Sequence, residues 1–278
     1  MRLGMNHTLP HASPEEWAKT LRELHCGAAI FPVAGDAPEE LIAAYCAAAE
    51  KYDIVIAEVG IWANPISPIA SVREQAVARS LSQLRLAQRV HARCCVNYAG
   101  AKGPTNHDPY PENYLPETRR EIVEHIQFLL DTVKPEDTCF TLEPMGWIAP
   151  DSPEDYLLLM QQVERPAFQV HMDPINWITD PHKYFNAESF LEHCFSLLGN
   201  KIQSCHIKDI LLTPQLTLHL QEMPCGKGCF PLLRYAQLIE ATDPEMPVLV
   251  EHLPSHQDYM DSVKYLYETF QQNKISLR

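Results

Sequence analysis

Cys139-Phe140-Thr141-Leu142-Glu143 is a short apolar run that ends on a carboxylate, and the design recurs three more times in the back half of the chain. Phe168-Gln-Val-His-Met-Asp173, Ile202-Gln-Ser-Cys-His206 and Val248-Leu-Val-Glu251 are also strand-length runs that finish on a metal-capable side chain. Runs of this kind, apolar throughout rather than alternating, read as strands buried on both faces of a parallel sheet. A closed (β/α)8 barrel gathers the C-terminal ends of its strands into one ring, so residues far apart in sequence converge. One imidazole and three carboxylates form a hard, oxygen-rich ligand set suited to a divalent cation.

Outward from these runs the order is strand, then helix, repeated. The front half supplies strands at Leu3–Asn6, Ala28–Val33, Asp53–Glu58 and Cys94–Asn97. Ser13-Pro14-Glu15-Glu16 opens the first helix with an N-cap serine, a proline at the first helical position and early acids. Further helices are expected over 37–51, 72–91, 118–133, 153–163, 188–198, 232–241 and 259–271. Eight strands alternating with eight helices in 278 residues match one α/β barrel domain over 1–278. No glycine-rich nucleotide turn follows the first strand, which favours the barrel over a doubly wound sheet. The run Leu216–Leu220 is surplus and reads as a loop hairpin.

A formal charge of −14 argues against a nucleic-acid partner, which needs clustered Lys and Arg. No apolar run approaches the roughly 18–20 residues of a membrane span. Met1-Arg-Leu-Gly-Met-Asn6 runs straight into a strand without a secretory leader, so a cytoplasmic location is expected. The nine cysteines show no CxxC spacing and read as free thiols in a reducing compartment.

The segments Leu142-Glu143-Pro144, Met172-Asp173-Pro174-Ile-Asn176, Cys205-His206-Ile-Lys208-Asp209, Gly226-Lys-Gly228 and Val250-Glu251-His252 resemble the xylose isomerase-like (β/α)8 superfamily of sugar and sugar-phosphate isomerases and epimerases. The resemblance implies that Glu143, Asp173, His206 and Glu251 bind one divalent metal, Mn2+ foremost, with Co2+, Mg2+ or Zn2+ as alternatives. It also implies, from the ketose 3-epimerases, that Glu143 and Glu251 move protons on opposite faces of the substrate. The expected activity is isomerisation or epimerisation of a keto-sugar or related polyol carbonyl through a metal-stabilised enediolate. The alternative is a lyase on the same site, an inosose-type dehydratase or an enzyme that cleaves 3-keto-glycosides or C-glycosides by β-elimination. Two departures weaken the epimerase side: Asn176 stands where those enzymes carry His, and Leu212 where they carry Arg.

A carbohydrate is thus the expected small-molecule partner, and a homo-oligomer is compatible with the fold. Lys208, Asn176, Asn97, Glu58, His7 and Trp147 are the expected substrate contacts. Trp62 and Trp177 lie in loops on the same side. His171 is expected one layer deeper, as a hydrogen-bonded core histidine, and His252 as support for Glu251. Gly226 and Gly228 are expected to serve a loop conformation and close backbone approach.

Overall fold

The computed structural model describes residues 1–278. Eight parallel strands close into a barrel: β1 (Arg2–Met5), β2 (Ala28–Ile30), β3 (Val55–Gly60), β4 (Cys94–Asn97), β5 (Phe140–Leu142), β6 (Phe168–Met172), β7 (Ile202–Ile207) and, closing onto β1, β10 (Pro247–Val250). Between β7 and β10, β8 (Asp209–Thr213) and β9 (His219–Met223) form a separate antiparallel hairpin. The surplus run therefore is a hairpin arm, but its strand starts at His219 and its partner grows directly out of β7.

Helices α1 (Pro14–Glu23), α2 (Glu39–Lys51), α3 (Ala70–Arg89), α4 (Pro116–Val133), α5 (Pro153–Val163), α7 (Ala187–Leu198), α8 (Leu232–Thr242) and α9 (His256–Gln272) supply the outer layer, with a short α6 (Pro181–Phe185) ahead of α7. Ser13 and Ser152 cap α1 and α5 by accepting from the N–H groups of Glu16 and Asp155, and proline follows each serine. None of these helices is long and apolar enough to cross a membrane.

Alternation along the strands divides the side chains into two sets. Phe168, Val170, Met172, Cys205, Ile207, Val248 and Val250 join the main core with helix residues such as Leu191, Tyr235 and Val263. Leu249 belongs instead to a small separate cluster with Ala28 and Ala57. Small residues suit the narrow interior: a Cβ on Gly4 would lie 2.0 Å from the Ala28 carbonyl oxygen. Higher in the barrel the filling turns polar, with Glu58, Cys94, Thr141, His171 and Ser204 all fully buried.

Register irregularities accompany that polar layer. Ala29 pairs with Ile56 but Ile30 with Glu58, and Val170 pairs with Ile202 but His171 with Ser204. An extra residue in one strand re-aims the side chains beyond it. All nine cysteines are free thiols and seven are buried. Burial, opposed only by the nearby Arg22 charge, pushes the Cys26 thiol up to about 12, so it remains protonated and inert.

Candidate metal centre at the barrel mouth

Glu143, Asp173 and Glu251 are each the first residue after a barrel strand, while His206 is the penultimate residue of β7. Strand register sets the ring: Leu249 pairs with His206, and Met172 with Cys205, its neighbour. The four residues bring one ligand atom each to within 4.8 Å of one another, and all four are buried.

His206 Nδ1 lies 2.8 Å from Glu251 Oε2 and 3.8 Å from Glu143 Oε1. Yet Asp173 Oδ1, His206 Nδ1 and Glu251 Oε2 are buried atoms without a hydrogen-bond partner, because the 2.8 Å approach lacks hydrogen-bond geometry. Buried polar atoms are rarely left so, and three converging on one point fit a cation as their missing partner. Charge gives the same answer. Glu58, Glu143, Asp173 and Glu251 are buried with Lys208 as the one permanent cation among them. Burial raises the Asp173 carboxyl to about 7, the neighbouring acids Glu251 and Glu143 add to this, and Lys208 opposes it. A divalent ion would relieve that excess. The donor set fits a hard divalent metal held by Glu143, Asp173, His206 and Glu251.

The other edge of the His206 ring faces the barrel interior. Its Nε2 lies 3.2 Å from Glu58 Oε2 and 3.2 Å from Asn6 Nδ2. Glu58 Oε1 is also 3.3 Å from His171 Nδ1, which in turn lies 2.7 Å from Ser204 Oγ. Burial opposes ionisation of Glu58, but the facing His206 and His171 reverse this and hold it far below the usual carboxylate range. An ionised Glu58 accepts from His206 Nε2–H and leaves the Nδ1 lone pair for the ligand set. Glu58 was expected on the rim against substrate. It is instead a buried partner beneath His206, because β3 runs on to Gly60 and bulges at this point.

Lys208 is likewise not a rim cation. Its Nζ is buried and donates to Asp173 Oδ2 at 2.8 Å, Asn176 Oδ1 at 3.0 Å and Glu251 Oε1 at 2.5 Å, with Glu222 Oε1 at 2.8 Å. It does not line the cavity. Asn176 does line it, and its Nδ2 donates to Glu143 Oε1 at 3.2 Å and to the Pro144 carbonyl at 3.1 Å. Asp209, beside Lys208, is occupied elsewhere: its carboxylate accepts from the N–H groups of Ile210, Gly226, Gly228 and Phe230. The two glycines are needed there, since Gly226 has φ +83° and a Cβ on Gly228 would meet Asp209 Oδ1 at 2.4 Å.

Of the remaining expected contacts, Trp147 lines the cavity, and so does Trp62. Asn97 does not: its Oδ1 accepts from Ala63 N and its Nδ2 donates to Ala63 O, both at 3.0 Å, so its amide ties down the loop after β3. His7 turns away, its Nε2 2.6 Å from His256 Nδ1 and its ring stacked on Tyr259, whereas the preceding Asn6 enters the cavity. Trp177 is fully buried and donates to the Pro150 carbonyl. Leu212 pairs with Leu220 inside the hairpin.

Glu222 had no signal in the sequence. It sits on β9, lines the cavity, and reaches both Lys208 and, at 3.2 Å, His252 Nδ1. Burial would raise its carboxyl, but the His252 hydrogen bond and the Lys208 charge bring it down to about 2. The hairpin thus delivers a charged side chain to the site from a segment outside the barrel wall.

Comparison with known proteins places this architecture. No curated protein sequence matches the chain at a significant level. Among solved structures, a probable 3-DHS dehydratase of Bacillus anthracis superposes with a TM-score of 0.73 at 15% identity, covering 98% of this chain and 99% of that one. The 3-keto-D-glucoside 4-epimerase of E. coli gives 0.69 at 15% identity, covering 96% and 99%. A xylose isomerase-like TIM barrel protein of Mycobacterium smegmatis, in complex with magnesium, gives 0.66 at 16% identity, covering 94% and 90%. At such identities the likeness is one of fold. The sequence pattern of one family matches residues 20–269, and on that match the chain belongs to the xylose isomerase-like TIM barrel family.

Proposed function

We propose that this protein is a divalent-metal-dependent enzyme that moves a proton at the carbon beside a sugar carbonyl, as an isomerase or epimerase of a keto-sugar. The observation that carries the reading is the placement of two cavity-lining carboxylates, Glu143 and Glu251, at 3.8 Å and 2.8 Å from His206 Nδ1. A divalent cation held by Glu143, Asp173, His206 and Glu251, Mn2+ foremost, would supply Lewis acidity for a carbonyl and so acidify the adjacent C–H.

One carboxylate, Glu143 or Glu251, takes the proton from that carbon and leaves an enediolate. The other returns a proton, to the opposite face in an epimerisation or to the former carbonyl carbon in an isomerisation, where the hydroxyl proton also passes to the old carbonyl oxygen and a new carbonyl forms. Lys208 stays cationic, since Asp173, Glu251 and Glu222 together overcome the effect of burial and raise it well above its ordinary value. It orients Asp173, Glu251 and Asn176. Asn176, Glu222 and His252 line the cavity and bind substrate hydroxyls.

A second reading, a lyase on the same residues, is favoured by Asn176. Its amide is engaged by Glu143, Pro144 and Lys208, so no acid or base stands at that position. The first proton removal is the same. The enolate oxygen then re-forms the carbonyl, its C=C pair shifts to the next C–C bond, and the β-substituent leaves with the C–O pair and takes up the proton from the carboxyl group that removed it.

The test is a set of keto-sugars and 3-keto-glycosides incubated in D2O with Mn2+-loaded protein. The reading expects deuterium at the carbon beside the carbonyl, lost in Glu143→Gln and Glu251→Gln, with the product separating isomerase from lyase. Exchange that persists in both variants would refute the proton-transfer roles.

A further inference from the structure

The cavity above the ligand set encloses about 960 Å³. That is the upper end of the ~300–1,000 Å³ that drug-sized ligands occupy, and more than one sugar ring fills. Its lining falls into two compartments. The floor is polar, with Asn6, Glu143, Asn176, Glu251 and His252.

An aromatic arc rises from that floor. Trp62 and Tyr98 have ring centroids 6.0 Å apart, Tyr98 and His107 meet edge to face at 5.6 Å, and Trp147 Nε1 donates to the His107 carbonyl at 2.8 Å. All four residues line the cavity, and the hairpin adds Leu218 and Leu220.

The arc is built at a cost. Trp62 holds φ +53°, a left-handed conformation that bulky residues seldom adopt. The chain makes room for its indole with Gly60, where a Cβ would lie 2.2 Å from Trp62 Nε1. Such strain concentrates where a side chain is held for a ligand. Trp147 and Leu218 keep 40% and 47% of their surface exposed at the cavity wall, which leaves apolar area for a ligand to cover.

Charge narrows the ligand class. None of the 20 lining residues is Lys or Arg, whereas Glu143, Glu222 and Glu251 are acids. A phosphate in the upper compartment would therefore meet no lysine or arginine.

We propose that the upper compartment is a subsite for a flat, uncharged aromatic group carried on the sugar, so that the preferred substrates are aryl glycosides with a keto group on the sugar ring rather than free or phosphorylated monosaccharides. The inference rests on the reading of the floor as a sugar-carbonyl site. An aromatic ring on the sugar stacks on the indoles of the arc and displaces water from the hairpin leucines, while the sugar hydroxyls keep the polar floor.

Calorimetry on Mn2+-loaded protein with matched methyl and phenyl 3-keto-glycosides of glucose, galactose and xylose, and with glucose 6-phosphate, tests this. The phenyl glycoside of at least one sugar binds at least about tenfold more tightly than its methyl partner, the scale of one or two aromatic contacts. That ratio falls toward one in Trp147→Ala and is reduced in Leu218→Ser, both at exposed positions where folding tolerates the change. Equal binding of methyl and phenyl partners, or tighter binding of glucose 6-phosphate, overturns the aromatic subsite and leaves the sugar-carbonyl reading standing. Failure of every 3-keto-glycoside to bind overturns both.

Discussion

Glu58 Oε2 lies 3.2 Å from His206 Nε2, on the opposite edge of the ring from the Nδ1 that faces Glu251 at 2.8 Å. One imidazole therefore links a fully buried carboxylate inside the barrel to the ligand set at its mouth. A carboxylate behind a ligand histidine fixes its tautomer and raises its basicity. Glu58→Gln keeps the shape and removes the charge. It should lower divalent-metal affinity about 10–100-fold, the usual effect of losing such a partner, with the circular dichroism spectrum unchanged. Titration against a competing chelator measures this, and an unchanged affinity would show that Glu58 serves the fold alone.

The acids around Asp173 predict that cation and stability are linked. If the four buried groups hold the ion and unfolding disperses them, bound metal adds roughly 2.7 kcal/mol at a hundredfold excess over Kd. In a chain of this size that is roughly a 5 °C rise in Tm. Melting curves in EDTA and in Mn2+ should differ by about that much for the native chain and coincide for Asp173→Asn. Coincident curves for the native chain would contradict the linkage.

Tyr156 supports the site from behind. Its hydroxyl lies 2.9 Å from Leu142 N, 3.0 Å from Leu142 O and 2.9 Å from Gln169 O, spanning β5 and β6 just before Glu143 and His171. Tyr156→Phe leaves these backbone groups unpaired in a buried place, at a cost of about 1–3 kcal/mol. Urea unfolding should show a lower midpoint with an unchanged slope.

His125 on α4 predicts an acid-sensitive element away from the site. Burial brings its imidazole down to about 4, and its Nε2 has no hydrogen-bond partner. Above pH ~6.5 both folded and unfolded chains hold it neutral, so it contributes nothing. Between about 6.5 and 4 the unfolded chain takes up the proton first, and stability falls with pH by at most about 3 kcal/mol. His125→Leu should therefore lose less stability than the native chain between pH 7.5 and pH 4.5. An equal loss in both proteins would count against the assignment.

Legibility in the sequence followed the physics of strands. Runs such as Val248–Val250 are apolar because both faces are buried, and that is visible without coordinates, as is the polar residue that ends each run. Orientation was not. Glu58 looks like a strand end, but a bulge and two further strand residues put it inside the barrel. Asn6 and His7 are adjacent and only one can enter the cavity, a choice that depends on strand register. Asn97 spends its amide on Ala63, a contact made across the start of a loop that no local pattern encodes. Glu222 and the arc through Trp62, Tyr98 and His107 come from loops and the hairpin, whose placement depends on tertiary packing.

Elemental analysis of the purified protein tests the central claim most directly. The account predicts one divalent metal ion per chain, absent from Asp173→Ala and His206→Ala proteins that retain the native circular dichroism spectrum. A native chain that takes up no stoichiometric metal when supplied with Mn2+, Co2+, Mg2+ or Zn2+, or variants that retain it undiminished, would contradict it.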